Sequence, residues 1–215
     1  MCSIMDGGTN RIEGLCAAIL CGGRSARMGR DKASVPFLGE PMLARLARRL
    51  SDIAPELVIA AGRKERSLPP LPAHAHIVHD ERDYEGPLAG CTRLASAIAP
   101  QTRHVLLCAC DLPLIDAHTI RALHAEVGDA TAIVPVVAGR AQTLCSLWRR
   151  EALEHFDRLW RCGKRKMAAV LDLPGLRLLD DDALAAIDVD PTFLVGCNDP
   201  VALARAEARA SQDQP

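Results

Sequence analysis

The chain has 215 residues, 49% hydrophobic and 25% charged, with 26 Lys and Arg against 27 Asp and Glu and a formal net charge of −1. That composition gives a globular chain with core enough for one domain, and the near-zero charge argues against a general nucleic-acid or membrane-surface binder. No apolar run nears the roughly 20 residues of a membrane-spanning helix. The nine cysteines are odd in number and several fall inside apolar runs, so they read as reduced thiols of a cytoplasmic protein, not as a disulfide framework.

Residues 1–14 include Asp6, Asn10, Arg11 and Glu13 and lack a long apolar stretch. They read as a flexible lead-in without signal-peptide character, before one domain over 15–210 and a flexible tail over 211–215. The run 15–21 is short and uncharged, as expected of a strand buried on both faces. Directly behind it comes Cys21-Gly22-Gly23-Arg24-Ser25-Ala26-Arg27-Met28-Gly29-Arg30-Asp31-Lys32. Glycines there let the backbone approach a ligand, and successive N–H groups can cradle an anion. Arg24, Arg27, Arg30 and Lys32 add positive charge. The loop suits phosphate, although it has neither a P-loop ending nor the Gly-x-Gly-x-x-Gly spacing. A basic surface turn is the plainer alternative.

Further strands are expected at 57–61, 76–78, 104–109, 131–137 and 142–148. Pro41 can start a helix with Leu43, Leu46, Ala47 and Leu50 on one stripe. Pro87 can start another, with Leu88, Cys91, Leu94, Ala95 and Ile98 inward. Asp116 suits the N-cap of a helix over 117–127. Apolar runs on either side of Ala138-Gly139-Arg140 imply a hairpin, so at least one antiparallel pair interrupts the rhythm. The β–α alternation elsewhere predicts a three-layer α/β/α domain with a mostly parallel sheet, whose ligands bind beyond the carboxyl ends of the strands.

Asp111 stands at such an end, after the run 104–109. A carboxylate there needs compensation. A divalent ion such as Mg2+, held with water and substrate phosphate, would supply it; the helix-cap alternative is better served by Asp116. Cys108-x-Cys110 has the wrong spacing for a zinc ribbon. Gly86 and Pro87 bring the backbone to a helix N-terminus, where free N–H groups suit a polar or anionic ligand. The segment Cys162-Gly163-Lys164-Arg165-Lys166-Met167 reads as the start of another helix. Cations there oppose the helix dipole, which favours a second anionic substrate over a merely solvated face.

The string from Leu20 to Lys32 resembles the signature Leu-Ala-Gly-Gly-x-Ser-x-Arg-Met-Gly-x-Asp-Lys of the molybdenum cofactor guanylyltransferase family (molybdopterin nucleotidyltransferases), with Cys21 in place of Ala. Gly86-Pro87-Leu88-Ala89-Gly90 and Cys110-Asp111-Leu112-Pro113 match further family segments. The resemblance implies a Rossmann-like nucleotidyltransferase fold and transfer of GMP from GTP to molybdopterin cofactor with release of pyrophosphate. It implies nucleotide binding by Leu20, Cys21, Gly22, Gly23, Lys32, Asp80 (ahead of Asp83), Gly86, Pro87, Leu88 and Asp111. Arg27, Lys32 and Asp111 would be catalytic, with magnesium on Asp111. Lys164, Arg165, Lys166 and Asn198 would hold the acceptor. A transient contact with a cofactor insertase or molybdoenzyme chaperone is also implied. Two positions depart from the family pattern: Gly62 stands where guanylyltransferases tend to carry Asn before Arg63, and Gly196 replaces the first Asn of Asn-x-Asn-Thr-Pro. Rival readings are a CTP-dependent cytidylyltransferase for the same cofactor, a sugar-phosphate nucleotidyltransferase, and a nucleotide-binding regulator without catalysis. Cys21-Gly22-Gly23 resembles the guanine-type signature more than the cytosine-type Ala-Ala-Gly.

Overall fold

The computed structural model describes residues 11–21, 31–79 and 86–212. Among the described residues ten strands are formed: β1 (Leu15–Leu20), β2 (Pro36–Phe37), β3 (Glu40–Pro41), β4 (Glu56–Ala60), β5 (His76–Val78), β6 (His104–Ala109), β7 (Ala132–Val137), β8 (Arg140–Ala141), β9 (Cys145–Arg149) and β10 (Leu176–Leu179). Six α-helices accompany them: α1 (Met42–Ser51), α2 (Pro87–Ala97), α3 (Ala117–Ala125), α4 (Glu154–Arg161), α5 (Asp181–Ala186) and α6 (Pro200–Gln212). The main sheet runs β10-β7-β9-β6-β1-β4-β5, with β8 on β7. Pairs β1–β4, β1–β6, β4–β5 and β7–β10 are parallel. Strand β9 lies antiparallel between β6 and β7, and β8 folds back on β7 at Val137↔Arg140. The expected mostly parallel sheet with a hairpin is therefore present.

Two apolar layers sandwich the sheet because the side chains of β1 alternate between its faces. Leu15, Ala17 and Ile19 join Leu43, Leu46 and Leu50 of α1 and Ile120 and Leu123 of α3. Cys16, Ala18 and Leu20 join Leu88, Cys91 and Leu94 of α2 and Phe156 of α4. Helix α2 sits tight on the sheet at Gly90, where a Cβ would meet Leu20 Cδ2 at 3.3 Å and Ala60 Cβ at 3.8 Å. A third cluster docks α6 through Ala206 onto Phe37, Met42, Leu114 and Cys197. Among the described residues no helix is long and apolar enough to cross a membrane.

Near the ends of the described residues, Ile12 N–H donates to Ile53 O at 2.7 Å and Gly14 O accepts from Arg103 and His104, while α6 runs through Ser211 to Gln212. Two sequence expectations change. The strand expected at 142–148 begins at Cys145, because Cys145 N–H closes a turn onto Gln142 O. The basic segment after Cys162 does not start an α-helix; it follows the end of one. Lys164 N–H donates to Leu159 O at 3.1 Å and Gly163 N–H to Trp160 O at 2.9 Å, with Gly163 at φ +79°. That is a Schellman end to α4, so the dipole there favours cations instead of opposing them. Lys166 then caps a 3-10 stretch, Met167–Asp172.

Candidate active site

The central strands β1 and β6 end side by side. Cys21 N–H continues the ladder to Ala60 O at 2.8 Å, and Cys110 N–H donates to Leu20 O at 3.0 Å. Both thiols are buried in the same apolar layer. Their mutual interaction lowers the Cys21 thiol and raises the Cys110 thiol. One residue beyond Cys110, Asp111 leaves the sheet with only 7% of its surface exposed.

The charge that compensates Asp111 comes from the signature loop. Lys32 Nζ lies 2.7 Å from Asp111 Oδ2 and 2.7 Å from Asn198 Oδ1. Lys32 opens a short 3-10 turn, Lys32–Ser34, capped by Asp31, whose Oδ1 accepts from Ala33 N–H at 3.1 Å. The far wall is the stretch before α6: Cys197 N–H donates to Asp111 O at 2.8 Å, and Asn198 Nδ2 to Gly196 O at 3.2 Å. Gly196 is pressed against the carboxylate; a Cβ there would stand 2.8 Å from Asp111 Oδ1 and 3.0 Å from Cγ.

These groups border a cleft of about 300 Å3. Leu20, Lys32, Gly86, Pro87, Asp111 and Asn198, all expected at the site, line it together. Asn198 joins the Lys32–Asp111 cluster, whereas Lys164, Arg165 and Lys166 do not line the cleft. Arg165 instead stacks on Trp160, with its guanidinium carbon 3.7 Å from the ring centre, and donates to Trp160 O at 3.0 Å. The basic segment does touch the site's rim. Gly86, at φ +93°, leaves no room for a Cβ, which would approach Arg165 O to 2.8 Å. Two expected nucleotide residues point elsewhere: Leu88 is fully buried beneath α2 and Cys21 packs in the opposite apolar layer. Gly22, Gly23, Arg27 and Asp80, with Arg24, Gly29, Arg30 and Asp83, lie outside the described residues.

Sequence reading missed several lining residues. Gln142 and Leu144, expected within a strand, form the turn before β9, on the cleft wall. The largest omission, Arg66, stands behind the cleft and does not line it. Its guanidinium grips the Asp31 carboxylate with Nε and Nη2, and Nη1 donates to Ala61 O at 3.0 Å. Burial alone would raise the Asp31 carboxyl, but the Arg66 fork and the Ala33 N–H outweigh it and hold it below the usual carboxylate value. No local pattern marks a partner 35 residues away.

Among the described residues no three His, Cys, Asp or Glu side chains gather as a ready-made metal cage. A single nearly buried carboxylate at the mouth of a cleft still fits magnesium, which takes one or two carboxylates and completes its shell with water and phosphate oxygens.

Comparison with known proteins agrees with this architecture. Residues 17–181 match the MobA-like NTP transferase domain. The chain is 34% identical over 206 residues to a Mycobacterium avium protein named "Probable molybdenum cofactor guanylyltransferase", covering 91% of this chain and 97% of that one. It is 33% identical over 156 residues to the molybdenum cofactor guanylyltransferase of Pseudomonas putida, covering 71% and 80%. The crystal structure of molybdopterin-guanine dinucleotide biosynthesis protein A from Archaeoglobus fulgidus superposes with a TM-score of 0.71 at 20% identity, over 92% of this chain and 99% of that one. With its signature lysine and strand-end aspartate meeting in one cleft, and a match spanning most of its length, the chain belongs to the MobA-like NTP transferase family.

Proposed function

We propose that this protein transfers GMP from GTP to molybdopterin cofactor, forming the guanine dinucleotide cofactor and releasing pyrophosphate. The observation that carries this reading is the meeting of Lys32 and Asp111 at 2.7 Å, at the carboxyl ends of the two central strands, in a chain whose relatives are named for that reaction. A phosphate oxygen of the acceptor attacks the α-phosphorus of GTP. A new P–O bond forms, the α–β bridging P–O bond breaks, and its electron pair leaves with pyrophosphate. No enzyme nucleophile is required, so catalysis rests on positioning and charge neutralisation.

Lys32 holds the triphosphate and meets the charge that develops on departing pyrophosphate, together with Arg27. Gly22 and Gly23 let backbone approach the nucleotide. Gly86 and Pro87 present the start of α2 to it from the opposite wall, and Asp80 is assigned to the nucleotide as well. Asp111 and water would hold magnesium, which supplies charge neutralisation on the phosphate oxygens when bound. The Lys32–Asp111 pair keeps both groups compensated until nucleotide arrives. Asn198 aligns Lys32 and reaches the acceptor side, and Lys164, Arg165 and Lys166 at the rim suit the pterin's phosphate. The eight described cysteines are all free, which accords with work in the cytoplasm.

Asp111→Asn keeps the shape of the side chain and removes its charge. It should lower transfer by about 10²- to 10³-fold, the usual cost of a lost electrostatic contact at a reacting phosphate, and weaken the dependence on magnesium. The assay is pyrophosphate release with GTP and isolated molybdenum cofactor. Turnover near wild type would contradict the role given to Asp111.

A further inference from the structure

We infer that Arg66 is a positioning residue for Lys32. This rests on the reading above, in which Lys32 contacts the triphosphate.

Arg66 belongs to the loop after β4, where its N–H closes a turn onto Arg63 O at 3.2 Å. Its side chain is only 15% exposed, and all three guanidinium nitrogens are used. Two of them fork onto Asp31, the residue immediately before Lys32, and the third fastens to Ala61 O at the end of β4. Asp31 in turn caps the short turn that Lys32 opens. The chain of contacts therefore runs from the rigid central sheet through Arg66 and Asp31 to the backbone of Lys32. From there the side chain reaches Asp111 and Asn198.

Two physical effects follow. A planar fork fixes the orientation of a carboxylate as a flexible point charge does not, so the turn carrying Lys32 has one preferred aim. The pairing also neutralises Asp31. Left alone, that carboxylate would sit beside a triphosphate site as a repelling charge and would compete with phosphate for Lys32.

A positioning role predicts non-additivity: once Lys32 is gone, nothing remains for Arg66 to aim. Turnover is measured as pyrophosphate release from GTP with molybdenum cofactor, at enzyme concentrations that still read a thousandfold loss. Arg66→Ala should lower kcat by about 10- to 100-fold, the usual cost of misplacing a reacting group, with a smaller change in KM for GTP. Arg66→Lys, which keeps charge and bulk but not the fork, should recover less than half of that loss on a logarithmic scale. The double variant Lys32→Ala/Arg66→Ala should fall within about threefold of Lys32→Ala alone.

Multiplying losses in the double variant would overturn the inference, as would wild-type kcat in Arg66→Ala. Full recovery in Arg66→Lys would overturn the fork and with it the proposal. Should Arg66→Ala not fold, Arg66→Lys and its double with Lys32→Ala carry the same cycle. A collapse in Lys32→Ala with unchanged Arg66→Ala defeats this inference alone. Wild-type turnover in Lys32→Ala defeats it together with the function on which it rests.

Discussion

At the scale of single residues, the two departures from the family pattern have different physical meanings. Gly62 has φ +73°, in the left-handed region that Gly and Asn both tolerate. Replacing the family's Asn by Gly there keeps the backbone path while removing a polar side chain. Gly196 is constrained by a neighbour instead. The missing Cβ leaves the Asp111 carboxylate the space it occupies, with oxygens 2.8 and 3.2 Å from where that carbon would sit. Gly196→Ala must push the carboxylate away or displace the strand end. Because the carboxylate is tied to Lys32, we expect about a tenfold loss of transfer with little loss of stability. Matched activity and urea-unfolding measurements check this, and undiminished transfer in Gly196→Ala would show that Asp111 moves freely during turnover.

At the scale of elements, the ends of strands and helices carry the site, and their legibility was uneven. Asp111 was readable because a carboxylate closing an uncharged strand is costly without a partner. The helix start at Gly86-Pro87 was readable from the fixed φ of proline. The segment 162–167, expected to start a helix, ends one instead, because a glycine beside a basic run also marks a helix C-terminus. Gly163 in fact closes α4. Away from the cleft, at the start of β6, His104 Nδ1 lies 3.0 Å from His124 Nε2 on α3. Burial lowers both imidazoles below their ordinary value; each ring also feels nearby arginine charge, and His104 feels His124 as well. Their neutral forms are favoured in the folded protein, so the unfolded chain binds more protons as pH falls. Stability is then fully present above the unfolded value near 6.5 and is lost on acidification through the lower folded values. The urea midpoint should fall between about pH 7.5 and pH 5.5, and His124→Gln should flatten that fall. An identical slope in the variant would place the pH dependence elsewhere.

At the scale of the whole molecule, the β–α alternation and the hairpin at Ala138-Gly139-Arg140 are enough to predict a mostly parallel sheet with at least one antiparallel pair. They did not reveal that β9 inserts between β6 and β7, since pairing order depends on which edges remain open after collapse, not on local pattern. The same limit hid the Arg66–Asp31 fork and the packing of the basic segment against Gly86, both contacts across long stretches of chain. What the fold accomplishes is to bring Lys32, Asp111 and Asn198, distant in sequence, to one end of the central strands. Transfer of GMP to molybdopterin cofactor is tested most directly by mass analysis of the product. The purified protein is incubated with magnesium, isolated molybdenum cofactor and equal GTP and CTP. The guanine dinucleotide cofactor, formed with one pyrophosphate per molecule, is the expected result; the cytosine form, or nucleotide binding with no product, would contradict it.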